Sequence, residues 1–161
     1  MGNIIMMELD QADIRILSAM QDNSRVGLEA LSEIASLSVA SVQRRLKHLR
    51  DKKIVIKDIS VLDPEKVGQS MSFIVMVEME RERPDQIDAF VEVAISHPQV
   101  QQCYYITGEA DFCLICTSRD MKEFEILTQQ LFFNNNNVRR FKTSVVMGRK
   151  KVSLSVDIRA K

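Results

Sequence analysis

The chain has 161 residues, 45% of them hydrophobic and 27% charged, with only five Gly and three Pro; this is a globular composition for one ordinary or two small domains, and it excludes a disordered or collagen-like polymer. Its 22 cations balance its 22 carboxylates, so total charge points to neither a nucleic acid nor a membrane surface. The longest apolar run, Phe73 to Val77, is far short of the roughly 18 residues of a membrane span. Glu8, Asp10 and Asp13 break up the first apolar residues with no basic region before them, which argues against a secretory signal, and the three cysteines suit reduced thiols in the cytoplasm.

From Asp10 to Met20 the residues Ala12, Ile14, Leu17 and Ala19 recur at helical spacing, with Asp10 placed to cap them. Leu28, Leu31, Ile34 and Ala35 form a second short stripe, broken at Ser36 to Ser38. Ser38 is then a natural N-cap for a third helix, whose inner face is Val39, Val42, Leu46 and Leu49. Charge changes sign along this stretch. Residues 1 to 33 hold two arginines against six carboxylates, whereas residues 39 to 57 hold seven cations against Asp51 alone. A basic face on the last of three short helices, after a tight turn, is the physical requirement of a helix-turn-helix whose last helix enters the major groove of duplex DNA. The candidate DNA-contacting residues are Ser38, Ser41, Gln43, Arg44, Arg45, Lys47 and His48. Arginines there can fork onto guanine or anchor phosphate. On charge alone the block reads better as a solvated helix face, and it is the tri-helical context that favours DNA.

Ile54 to Leu62 reads as an extended connector, and Asp63-Pro64 with Gly68 marks a boundary, giving domains 1–62 and 63–161. Beyond it the patterns predict a strand over Met71 to Met79, a helix over Pro84 to Ser96, and strands over Val100 to Thr107 and Phe112 to Thr117. A helix marked by Met121, Phe124, Leu127 and Leu131 follows, then a strand from Val138 to Met147 and a last one through Val152, Leu154, Val156 and Ile158. The fold class is therefore α+β: an N-terminal helix-turn-helix, winged-helix-like domain, then a ferredoxin-like βαββαβ domain.

Right-handed crossovers place both helices of that arrangement on one face of the sheet. Yet Ile74 and Met76 back the row Phe73, Val75, Val77, and Cys113 and Ile115 back Phe112, Leu114 and Cys116. Strands apolar on both sides need cover on both sides. A second copy of the chain is the simplest cover, and the N-terminal domain is the alternative.

The segment Gly108, Glu109, Ala110, Asp111 could hold the carboxylate and ammonium of an amino acid, or be an ordinary turn, which its spacing alone favours. Cys113 and Cys116 stand an odd number of residues apart in one strand, so they point to opposite faces and cannot easily share a metal ion. With two isolated histidines, His48 and His97, and no phosphate-binding glycine loop, no catalytic, metal or cofactor site is expected.

Taken together, Leu9-Asp10, Asp13, Ile16-Leu17, Gln21, Arg25, Leu37-Ser38 and Arg44-Arg45 at the front, with Val100, Cys103-Tyr104, Gly108, Asp111-Phe112 and Val145-Val146-Met147 at the back, make a chain that resembles the Lrp/AsnC family of leucine- and asparagine-responsive transcription regulators. The likeness covers nearly the whole chain. It implies a ligand-sensing second domain, homodimers that can assemble into octamers, and an amino-acid effector held between subunits near the turn Thr107, Gly108, Glu109, Ala110 and Asp111. It also implies a response involving Met121, Phe133, Ser144, Val145 and Val146. The chain departs from the family pattern at Lys53, where glycine is usual, and at Phe133 to Asn137, which lacks the usual proline and glycine. Some relatives with this domain pair have become enzymes of haem metabolism, so a metabolite-binding protein or enzyme with the same architecture is the alternative reading; a redox regulator acting through Cys103, Cys113 or Cys116 is a third.

Overall fold

A computed structural model describes residues 9–159; residues 1–8, with Glu8 of the signal-sequence argument, and residues 160–161 lie outside the described residues. The chain divides into two compact units, Met1–Val61 with Lys151–Lys161, and Leu62–Lys150.

The first unit is built on three helices, α1 (Gln11–Asp22), α2 (Leu28–Ala35) and α3 (Val39–Asp51). The starts of α1 and α3 are set by side-chain caps. Asp10 caps α1 in a reciprocal box in which its carboxylate accepts the Asp13 N–H and the Asp13 carboxylate accepts the Asp10 N–H. Ser38 caps α3 by accepting the Ser41 N–H. Between α2 and α3 the chain turns at Ser36, left-handed at φ 55°, and α3 ends just before Lys53, also left-handed at φ 56°. A left-handed residue after a helix lets the next amides reach back, and here the Ile54 N–H donates to the Leu49 carbonyl at 2.9 Å. Ile16, Leu31, Val42 and Leu49 form the centre of a core that excludes water almost fully.

The second unit has the order β1 (Met71–Met79), α4 (Pro84–Ser96), β2 (Val100–Tyr105), β3 (Phe112–Ser118), α5 (Met121–Thr128) and β4 (Val138–Val145). Its four-stranded sheet has the spatial order β2-β3-β1-β4 with every neighbour antiparallel, which is the expected split βαβ arrangement. Phe73, Val75, Val77 and Met79 of β1 and Phe112, Leu114 and Cys116 of β3 are buried against Phe90 and Ala94 of α4 and Phe124 and Leu127 of α5. The Phe73 and Phe124 rings stack with centroids 3.7 Å apart. α5 passes into one π-helical stretch, Gln129–Phe133, so the helix expected through Leu131 changes its hydrogen bonding at Thr128.

On the other face of the sheet Ile74 is exposed, and Met76, Cys113 and Ile115 are only half-buried. This is the unpaired apolar side that the sequence pattern foretells. The strand expected over Val152 to Ile158 does not form. The segment has neither a ladder nor other regular structure and belongs to the helical unit. Alternation creates the capacity for a strand, but a strand exists only where a neighbour supplies the other half of the ladder, and no strand in this unit does so among the described residues. The connector from Lys57 to Val61 is likewise free of regular structure.

Candidate DNA-binding surface and effector turn

Residues on a helix advance by about 100° each. With Val42, Leu46 and Leu49 buried, Arg44 and Lys47 fall on the side of α3 opposite the core, and Gln43 and Arg50 lie on the flank toward α2. Arg44, Lys47, Gln43 and His48 are all exposed. Gln43, Arg44, Lys47 and Arg50 line a shared groove with Ala40, Asp51 and Leu28 of α2. The groove brings three of the sequence candidates together and adds Arg50, which helical spacing places with Gln43 and Lys47 at the flank of the helix's outer surface. A cationic side chain every three or four residues along one exposed helix face is suited to straddle a phosphate backbone while the central residues reach base edges.

Ser38 and Ser41 sit at the entrance of α3, their hydroxyls 3.0 Å apart. Arg45 is placed differently from its neighbour. Its Nη1 lies 2.7 Å from Asp10 Oδ2 and 2.8 Å from Asp13 Oδ1, so the guanidinium is engaged within the bundle. The Asp13 side chain is only 10% exposed, and it receives this charge at the first turn of α1. The hydrogen bonds to Asp13 and Asp10 raise the Arg45 pKa. The Asp13 N–H, aided by Arg45, holds the Asp10 carboxyl below its ordinary value.

In the second unit, the turn between β2 and β3 is fixed by Gly108 and Asp111. Gly108 has φ 124° with open space where a side chain would stand, a backbone region that favours glycine. The Asp111 carboxylate accepts the Met79 N–H at 2.6 Å, its own N–H donates to the Val77 carbonyl at 2.9 Å, and its carbonyl accepts the Ile106 N–H at 2.8 Å. These bonds fasten the turn at the point where the β1–β4 register shifts, between Glu78 and Met79. Thr107, Gly108 and Glu109 are exposed and Ala110 is buried. Beside the turn a small cleft of about 70 Å³ is lined by Met76, Glu78, Glu109, Ala110, Arg140 and Lys142. Glu78 there accepts from Arg139 at 2.8 Å and from Arg140 at 2.5 Å. Met76, Glu78, Arg140 and Lys142 were absent from the sequence candidates, although the two-residue period of β1 and β4 puts them on one face of the sheet.

The remaining effector candidates divide by position. Phe133 packs edge-on against Phe141, which pairs with Val77, as Phe112 does, so it belongs to the turn's end of the sheet. Met121, at the start of α5, follows the end of β3 where Ser118 pairs with Met71, and it is exposed. Ser144 and Val145 pair with Ile74 and Phe73, and Val146 donates its N–H to the Ser72 carbonyl. On the open face Ser144 is the next residue after Lys142, which lines the cleft beside the turn, about 7 Å along the strand at its usual rise, whereas Met121 lies by the Met71 end of the sheet.

Cys113 and Cys116 lie as their parity requires: Cys116 is buried on the helix side and Cys113 faces the opposite side, paired with Met76. Burial pushes the Cys116 thiol up to about 12 and raises Cys103 and Cys113, which keeps all three protonated and slow to react at neutral pH. Among the described residues no three His, Cys, Asp or Glu side chains gather to hold a metal ion, and no helix is long and apolar enough to cross a membrane.

Comparison with known proteins finds two matching family models. Residues 9–50 match the AsnC-type helix-turn-helix domain and residues 72–156 match the Lrp/AsnC ligand binding domain. The chain is 43% identical over 152 residues to an HTH-type transcriptional regulator of Sinorhizobium fredii, covering 94% of this chain and 90% of that one. It is 34% identical to an HTH-type transcriptional regulator of Haemophilus influenzae, covering 90% and 86%. Among solved structures, a transcriptional regulator of Neisseria meningitidis in complex with L-methionine superposes with a TM-score of 0.85 at 31% identity, covering 92% of this chain and 96% of that one.

Proposed function

The chain belongs to the Lrp/AsnC family of transcription regulators, and from that premise we propose that it binds DNA as a homodimer through α3 and responds to an amino acid held where copies of the chain meet. The observation that carries the first part is the exposed row Arg44, Lys47 and Arg50 with Gln43 at its edge. Arg44 and Lys47 are the phosphate anchors, Gln43 reaches toward base edges, and Ser38, Ser41 and His48 border the contact. Arg45 serves the same surface indirectly, by tying α3 to the start of α1.

Dimerisation is supported by the open sheet face, where Ile74, Met76, Cys113 and Ile115 are incompletely covered. At about 25 cal/mol per Å² of apolar surface, covering a few hundred Å² contributes several kcal/mol. The effector reading draws on the turn fastened by Asp111, on the mixed charges of the cleft beside it, and on the L-methionine complex of the similar Neisseria protein. Ser144 lies one same-face step from the cleft on the open side of the sheet, so a second copy covering that side would close over a ligand held beside the turn. Binding then favours one assembly over another by its difference in affinity for the two.

Sedimentation velocity, run alone, with duplexes selected by the protein from a random pool, and with the twenty amino acids including L-methionine, tests the reading. A dimer that binds the duplex and changes its assembly with at least one amino acid supports it. A monomer at all concentrations, without DNA binding in dilute salt, defeats it.

A further inference from the structure

The segment 151–159 carries no helix or ladder, yet two contacts hold it to the helical unit. Ile158 packs against the core cluster that contains Ile16, Leu17 and Met20. Gln21, in the last turn of α1, offers its side-chain amide to Val156 in both directions: Nε2 donates to the Val156 carbonyl at 3.0 Å, and Oε1 accepts the Val156 N–H at 2.7 Å. A primary amide presents one acceptor and a donor in the same plane, as a peptide group does. Gln21 thus stands in, for one residue, as the neighbouring strand that the segment lacks. The two residues are 135 positions apart in the chain, so this is a tertiary lock and not a local turn.

The lock has a mechanical consequence, because the chain passes between its two units twice, after Val61 and again after Lys150. A body tethered by a single extended connector is free to swivel about it, whereas a second tether removes most of that freedom, provided its far end is fixed. We infer that Gln21 is a positioning residue: its amide fixes the carboxy-terminal segment to the helical unit and so restrains the orientation of α3. This inference rests on the dimeric DNA-binding reading above. Two recognition helices on one duplex gain affinity from their effective concentration, which falls as tethers loosen. The gain from a second half-site therefore depends on Gln21, whereas contact with one half-site does not.

The test uses the full-length protein with Gln21→Ala and, from the other side of the lock, Val156→Pro, which removes the N–H without touching α1. Amide hydrogen exchange at Val156 is read in the wild type and in Gln21→Ala, and affinity is read in all three on a duplex selected by the protein and on the same duplex with one half-site scrambled. The expected result is exchange about tenfold faster at Val156 in Gln21→Ala. In both variants the advantage of two half-sites over one drops severalfold while single-site affinity and the helical content stay at the wild-type level. Gln21→Glu, which keeps the acceptor and loses the donor, is expected to fall between. Unprotected Val156 in the wild type, or equal exchange in Gln21→Ala, overturns the lock. Equal loss on both duplexes, or none, overturns the positioning role. Should the wild type bind no duplex, the dimeric reading fails, and the exchange measurement still decides whether the lock exists.

Discussion

Arg45 of α3 and Asp13 of α1 meet at 2.8 Å, and the same guanidinium nitrogen lies 2.7 Å from Asp10. The adjacent Arg44 is exposed, and its sole companions in the groove are residues of α2 and α3. Two neighbouring arginines thus have opposite duties, one inside the bundle and one at its surface. Arg45→Ala is expected to destabilise the helical unit by about 1–2 kcal/mol, since it removes a charge-assisted bond to the nearly buried Asp13. Arg44→Ala should alter stability by less than about 0.5 kcal/mol yet weaken DNA binding. Denaturant unfolding of the two variants, side by side, separates the duties.

The Asp10 carboxyl is held below its ordinary value by the Asp13 N–H and by Arg45. A group whose folded pKa is depressed contributes stability that is present above its unfolded value, near 3.9, and lost as pH falls through the folded one. Unfolding curves followed from pH 6 downward should show a stability loss beginning near pH 4, and Asp10→Asn should remove that part of the loss. A variant with the wild-type pH profile would show that the cap carries no linkage.

Lys53 holds a left-handed backbone, φ 56°, immediately after the α3 C-cap. A side chain there costs roughly 1–2 kcal/mol relative to glycine, partly offset by the greater freedom glycine has when unfolded. Lys53→Gly is therefore expected to stabilise the protein by about 0.5–1 kcal/mol, read as a rise in the denaturation midpoint. The turn keeps its left-handed form with a lysine in place and carries that strain.

The Asp111 carboxylate is a structural acceptor as well as a candidate ligand group, because it bonds the Met79 N–H at 2.6 Å. Asp111→Ala leaves that amide unpartnered and should cost about 1–3 kcal/mol. Asp111→Asn keeps an acceptor oxygen and loses the charge, so it should recover most of the stability while any attraction for an ammonium group is abolished. Comparing amino-acid binding by calorimetry in these two variants distinguishes a fold defect from a lost ligand contact.

How far residues foretell structure differs between elements. The core helices and strands were legible because apolar spacing reports burial directly: Val42, Leu46 and Leu49 behave as their period requires, and so do Phe73, Val75 and Val77. The last strand was not, since Val152, Leu154 and Val156 alternate in the sequence but are exposed and outside any ladder, and periodicity says nothing about whether a ladder partner is present. Within the basic block, the type of residue showed that α3 is cationic, but not that Arg45 faces Asp13, because that depends on where α1 lies. The same reason hid Glu78, Arg140 and Lys142, which become neighbours of the Glu109 turn only through the pairing of β1 with β3 and with β4.

The central claim is that the outward face of α3 holds the phosphates of duplex DNA. It is tested most directly by the salt dependence of binding for the wild type and for Arg44→Ala combined with Lys47→Ala, both on a duplex selected by the protein. Each phosphate contact contributes about 0.9 to the slope of log affinity against log salt. The account predicts a shallower slope in the double variant, by about 1.8 for each bound α3, with folding unchanged. An identical slope and affinity in a folded double variant would contradict it and move the DNA contact elsewhere on the chain.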